Sequence, residues 1–177
     1  MKTYPGDISK DVLRLFASDI GASEFFSHAG NLVSVEQAVA VFGLLSPDFI
    51  ERDDHVFWVP NANEYVPDKF PLVGLKRTAT GDLEKSTARE DVERYRNNFC
   101  VSQFFSRWEG ESRSAVTMVS LSDNDKFICD VFANEIEKYW GYALSKTFPG
   151  RRFLFEISDD LLDEFGVCLT FWQDLSG

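Results

Sequence analysis

Residues 46–60 read Ser-Pro-Asp-Phe-Ile-Glu-Arg-Asp-Asp-His-Val-Phe-Trp-Val-Pro. Two runs of bulky and β-branched residues, 49–52 and 55–59, flank Asp53-Asp54, an order that marks a hairpin. Aspartate tolerates positive φ and bonds to nearby backbone, so the pair supplies what a tight turn needs. A competing reading makes Asp53, Asp54 and His55 an acid–base or metal cluster. Successive residues of a strand point to opposite faces, so Asp54 and His55 would diverge rather than share a ligand. The stretch therefore reads as a turn joining two strands, which places antiparallel sheet in the fold.

Upstream, Ser34 and Gln37 match a capping box and open a helix carrying Ala38, Val39, Val41, Phe42 and Leu45, stopped by Ser46-Pro47. Val12, Leu13, Phe16 and Ile20 recur at helical spacing over 8–20, with Gly21 as the stop. Downstream, 60–86 holds Pro60, Pro67, Pro71, Gly74 and Gly81 with little periodicity and reads as a long irregular segment. A second capping-box match, Thr87 to Glu90, opens a stripe of Val92, Tyr95 and Phe99, and the helix is expected to continue through Trp108. Residues 115–121 read as a strand. Residues 123–147 carry the widest apolar stripe, with Phe127, Ile136, Tyr139, Trp140 and Leu144 in it, and Phe148-Pro149-Gly150 ends it. Residues 152–157 and 167–172 read as strands, with 158–166 between them as an acidic helical turn. These elements predict one α+β domain over 1–177, an antiparallel or mixed sheet of about five strands packed with about four helices.

A chain of 177 residues with 44% hydrophobic and 15% aromatic content can bury a full core without metal or disulfide staples. The four tryptophans lie inside apolar runs and are expected in that core, whereas Tyr65 is freer. Cys100, Cys129 and Cys168 lie far apart among apolar residues, with no C-x-x-C pair, and read as buried thiols in a reducing compartment. The N-terminal residues lack a basic region followed by an apolar run, and nothing approaches the length of a membrane span, so the expected location is cytoplasmic. The net charge of −11 disfavours nucleic acid and anionic membrane as partners. Residues 76–114 carry 8 Lys and Arg against 7 Asp and Glu, so the acidity lies outside that stretch and allows a strongly negative face.

No nucleophile elbow, phosphate-cradling glycine loop, H-E-x-x-H or dinucleotide fingerprint occurs. Only one other histidine, His28, accompanies His55, so a cysteine–histidine pair has little to draw on. Neither a cofactor nor a metal is expected. Asp159, Asp160, Asp163 and Glu164 form the densest acidic cluster; on a helical turn Asp160 and Glu164 would share a face while Leu161, Leu162 and Phe165 turn inward. A solvated face explains such a cluster; so does a partner-binding patch. The spacing does not follow a calcium loop.

Residues 44–57, Leu-Leu-Ser-Pro-Asp-Phe-Ile-Glu-Arg-Asp-Asp-His-Val-Phe, in a small acidic chain ending in aromatic strands, resemble the single-domain immunity proteins encoded beside bacterial polymorphic toxins. The resemblance implies a cytoplasmic, non-enzymatic protein that binds and blocks one cognate toxin, often a basic one. It transfers no functional residues. Charge alone nominates Asp159, Asp160, Asp163, Glu164, Glu51, Asp53 and Asp54 as the partner-binding set. Two rivals stand beside it: an enzyme or small-ligand-binding domain with a pocket near His55, and an acidic mimic of nucleic acid.

Overall fold

The computed structural model describes residues 8, 10–15, 25, 29–30, 33–59, 71–104 and 122–176. Three α-helices longer than one turn lie among them: α1 (Val35–Leu45), α2 (Arg89–Arg96) and α3 (Asp123–Thr147). Seven strands accompany them: β1 (Asp48–Arg52), β2 (His55–Val59), β3 (Gly74–Arg77), β4 (Leu83–Ser86), β5 (Phe99–Cys100), β6 (Phe153–Leu161) and β7 (Glu164–Gln173). A six-residue 3-10 helix occupies Lys10–Leu15 and a single turn of α-helix Val101–Phe104. The class is α+β, as the sequence predicts. The expected sheet of about five strands is instead three small antiparallel ones, β1-β2, β3-β4 and β5-β7-β6.

Asp53-Asp54 is a turn. Both residues have positive φ, 49° and 65°, as a two-residue type I′ connection requires, and Arg52 pairs with His55 across it. The capping box of α1 is also present: Gln37 N donates to Ser34 Oγ at 3.1 Å and Ser34 N to Gln37 Oε1 at 2.9 Å. Yet α1 buries none of its residues, and Val35, Val39 and Phe42 are 81%, 63% and 67% exposed, against the inward stripe expected of Val39 and Phe42. Its C-terminal end is what holds it, through Leu44 and Leu45 packed on the core and through Trp140 Nε1, which donates to Leu44 O at 2.8 Å.

The core lies between α3 and the three-stranded sheet. Ala133, Ile136, Trp140 and Leu144 recur every three or four residues along α3, are fully buried, and meet Val167, Leu169 and Phe171 of β7. Trp140 packs against Trp58, Phe99 and Phe171 with ring centroids 5.4–6.1 Å apart, so β2 and β5 share that core. Fully burying side chains of this kind stabilises the fold by roughly 1.5–3 kcal/mol each. Trp172 is half-buried, with the Arg94 guanidinium 5.4 Å from its ring.

Three further expectations give way. The helix predicted to run through Trp108 stops at Arg96, because Asn97 turns its side chain into the protein and the chain becomes β5. Its start is not capped by Thr87; Ala88 occupies the cap, and Ser86 Oγ accepts from Ala88 N and binds the Asp91 carboxylate. The acidic segment is no helical turn but the tip of a hairpin: Leu161 ends β6 and pairs with Glu164, which opens β7, and Leu162, at φ 58°, turns the chain between them. Part of the segment read as irregular forms the β3–β4 hairpin, closed by Gly81 at φ 91° and by Thr78 N on Asp82 O at 2.8 Å. The strand read at 115–121, Trp108, Tyr65, His28 and residues 9 and 16–20 of the helix read at 8–20 lie outside the described residues.

Candidate functional site

The seven nominated carboxylates fall at two ends of β7. Glu51, Asp53 and Asp54 lie around the β1–β2 turn, and Asp54 O accepts from Gln173 Nε2 at 2.7 Å, which fixes this group beside the last residue of β7. Asp159, Asp160, Asp163 and Glu164 surround the first residue of β7. The nine steps from Glu164 to Gln173 span roughly 30 Å at about 3.3 Å per residue. The acidic groups are therefore two separate patches.

Five of the seven are already matched by cations within the chain. Glu51 meets Arg151 at 2.6 Å, Asp53 meets Arg52 at 3.5 Å and Asp54 meets Arg89 at 3.4 Å. At the other end Asp159 pairs with Lys126, and Asp160 meets Arg77 at 2.9 Å, whose guanidinium also donates to Leu162 O. Exposed pairs of this kind contribute roughly 0–1 kcal/mol each, so their main effect is to neutralise surface charge. Asp163 alone of the seven makes neither an ion pair nor a hydrogen bond among the described residues.

Asp163 and Glu164 form one wall of an open cavity of about 200 Å³, with Tyr95, Arg96 and Asn98 as the other. The opposite wall is the C-terminal end of α2, where the helix dipole favours cations. Arg96 lies over the Tyr95 ring at 5.4 Å and donates to Pro71 O at 3.2 Å. Both polar atoms of the Asn98 amide are shielded from solvent and have no hydrogen-bond partner among the described residues. A shielded amide without partners costs about 1–3 kcal/mol, which a ligand group donating to it and accepting from it would recover.

His55 does not join Asp53 and Asp54 in a cluster. Its ring is 8% exposed and stacked on Phe57, its Nδ1 donates to Asp53 O at 2.9 Å, and the Asp54 carboxylate turns away to Arg89. Among the described residues no three His, Cys, Asp or Glu side chains are grouped so as to hold a metal ion.

The most heavily buried charged group is one that sequence reasoning passed over. Glu93 is fully buried, and its carboxylate accepts from Val56 N at 2.7 Å, Gln173 N at 2.7 Å and Gln173 Nε2 at 2.6 Å. One turn later, Asn97 Oδ1 accepts from Trp58 N at 3.1 Å while its Nδ2 donates to Val56 O at 2.9 Å and Phe171 O at 3.0 Å. Burial pushes the Glu93 carboxyl above the usual range, against the pull of those hydrogen bonds. A buried carboxylate near a histidine suggests a general acid, but here every hydrogen bond is spent on joining β2 to β7. The signal in the sequence was only an acidic and an amide residue spaced i, i+4 beside an apolar stripe.

Comparison with protein families, with curated proteins and with solved structures finds no match to this chain.

Proposed function

We propose that this chain is a binding protein that inhibits a cognate, basic protein toxin, in the manner of an immunity protein, and that Asp163 sits at the contact. The observation that carries the reading is Asp163 itself: a carboxylate with no cation partner among the described residues, at a cavity whose other wall is a helix C-terminus and an amide with no partner among them. Ligand pockets for small molecules usually span about 300–1,000 Å³, and a cavity of about 200 Å³ instead suits one side chain of a protein, such as an arginine anchor. The exposed apolar residues Val35, Val39 and Phe42 on α1, at i, i+4 and i+7, likewise suit contact with a protein. Against the enzyme reading near His55 stands the closed Glu93 network. Against mimicry of nucleic acid stand the separation and internal pairing of the carboxylates.

The test is to measure binding and inhibition of the product of the adjacent gene by the wild-type chain and by Asp163→Asn. Charge complementarity acts mainly on the rate of encounter, so Asp163→Asn is expected to slow association severalfold at low salt and less at moderate salt. Unchanged rates at both salts would remove Asp163 from the interface. Absence of binding by the wild-type chain would remove the reading itself.

A further inference from the structure

The three cysteines, distant in the sequence, converge in the fold. Cys100 on β5 and Cys168 on β7 are directly opposite each other in the antiparallel ladder, and their thiols are hydrogen-bonded to each other. Directly opposite residues of an antiparallel pair project to the same face. Cys129 on α3 reaches the same place: the Ser102 hydroxyl bonds to it, and Cys100 is close enough to help push the Cys129 thiol up, after burial as the main cause. Ser102 itself accepts from Val167 N at 2.8 Å, and a Cβ built on Gly166 would come within 3.9 Å of Cys100 Sγ. Cys100 and Cys129 are half-buried; of the three thiols expected to be buried, only Cys168 is fully enclosed.

Opposite residues of an antiparallel pair have Cα atoms about 4.5–5.5 Å apart, inside the roughly 4.4–6.8 Å window of a disulfide. A bond between these two sulfurs thus requires side-chain rotation but no shift of either strand. No comparable ladder position aligns Cys129, which approaches from a helix.

We propose that Cys100 and Cys168 are a redox-active pair that closes a cross-strand disulfide in the presence of a low-molecular-weight disulfide such as oxidised glutathione, leaving Cys129 as a thiol. In the first step the more accessible Cys100 thiolate attacks the glutathione disulfide, forming a mixed disulfide and releasing one glutathione thiolate. In the second, the Cys168 sulfur attacks Cys100 Sγ, and the second glutathione leaves with the Cys168 proton. Two protein thiols are oxidised, one glutathione disulfide is reduced to two thiols, and no other reactant is consumed. The hydrogen bond to Cys100, together with burial, pushes the Cys168 thiol up, so closure is slow at neutral pH and accelerates as pH rises. Cys100 follows Asn98 by two residues and Cys168 follows Glu164 by four, so the bond ties together the two walls of the cavity.

Trypsin separates the three cysteines, which fall in peptides 97–107, 127–138 and 153–177. The folded wild-type protein is incubated in glutathione redox buffers, the remaining thiols are alkylated, and intact mass and tryptic peptides are analysed. The expected result is loss of two hydrogens, a cross-link between peptides 97–107 and 153–177, an alkylated Cys129 and a higher melting temperature. Cys129→Ser is expected to form the same bond, and Cys100→Ser to form none. A glutathione adduct that never closes, a cross-link involving Cys129, or three unreacted thiols would each overturn the proposal. The readout needs no partner protein, so its failure is separate from failure of the inhibitor reading.

Discussion

Asn97 Nδ2 donates at once to Val56 O on β2 and Phe171 O on β7, so one amide joins two sheets that do not pair with each other. Glu93, one turn earlier on α2, repeats the arrangement with Val56 N and Gln173 N. Side chains of a helix thereby take the positions that a strand ladder would otherwise fill. This explains why the sheet expected from the sequence appears as separate pieces.

Asn97→Ala leaves Trp58 N, Val56 O and Phe171 O without partners in a buried site. Each unsatisfied group costs about 1–3 kcal/mol, so the variant is expected to lose about 3 kcal/mol or more, read from urea denaturation.

Glu93 makes stability depend on pH in a defined direction. Its folded carboxyl titrates above the ordinary value of 4.5, so between the two the folded state binds more protons than the unfolded one. The stability it contributes is full below the unfolded value and falls as pH rises through the folded one. Glu93→Gln puts an N–H donor where a backbone donor now points, at a cost of about 1–3 kcal/mol. It also removes the titration. The difference in stability between wild type and variant should therefore grow as the pH is lowered from neutrality toward the ordinary carboxyl value. A difference that stays flat, or shrinks, would refute the raised carboxyl.

The β1–β2 turn should discriminate by backbone shape rather than by charge. Asp54→Gly and Asp54→Asn both accept positive φ and are expected to change stability little, beyond the modest Arg89 pair. Asp54→Val places a β-branched residue in the left-handed region and is expected to cost about 1–2 kcal/mol or more. Equal melting temperatures for all three would contradict the turn.

Gly74 opens β3 where it packs on α2, and a Cβ there would overlap the Asp91 carbonyl. Gly74→Ala is expected to destabilise by about 1–3 kcal/mol through forced backbone movement, measurable by thermal melting. Gly81→Asn, at an open turn with φ 91°, is expected to cost less.

The elements legible in the sequence were those written in neighbouring residues. Ser34 with Gln37, Asp53 with Asp54, and the long stripe of α3 ended by Phe148-Pro149-Gly150 each carry their structure locally. What was missed depends on distant contacts. Nothing in the local pattern at Asn97 says that its amide is needed 41 and 74 residues away, so the helix predicted from the stripe runs past its true end. The acidic run at 158–166 fits a helix by charge and apolar spacing, whereas β7 provides the ladder that makes it a hairpin. The candidate cavity is half legible: Asp163 and Glu164 stand out by charge, Tyr95 only as part of an apolar stripe, and Asn98 and Arg96 by nothing. The ion pairs that neutralise most of the other acidic residues join segments far apart in sequence, as Arg77–Asp160 and Arg151–Glu51 do.

One consequence of the Glu93–Asn97 seam concerns how molecules of this protein meet each other in concentrated solution. His55, Phe57 and Val59 direct their backbone bonds toward β1, which leaves the amides of Val56 and Trp58 and the Val56 carbonyl pointing outward along the other margin of β2. An uncovered strand margin is a template on which strands from other copies add, and it is a common route to aggregation. Here that margin is occupied by two side chains that only a folded α2 can deliver. Folding of one short helix thus decides whether β2 is closed to other chains, and variants that weaken α2 should accumulate as associated species rather than as soluble unfolded chains.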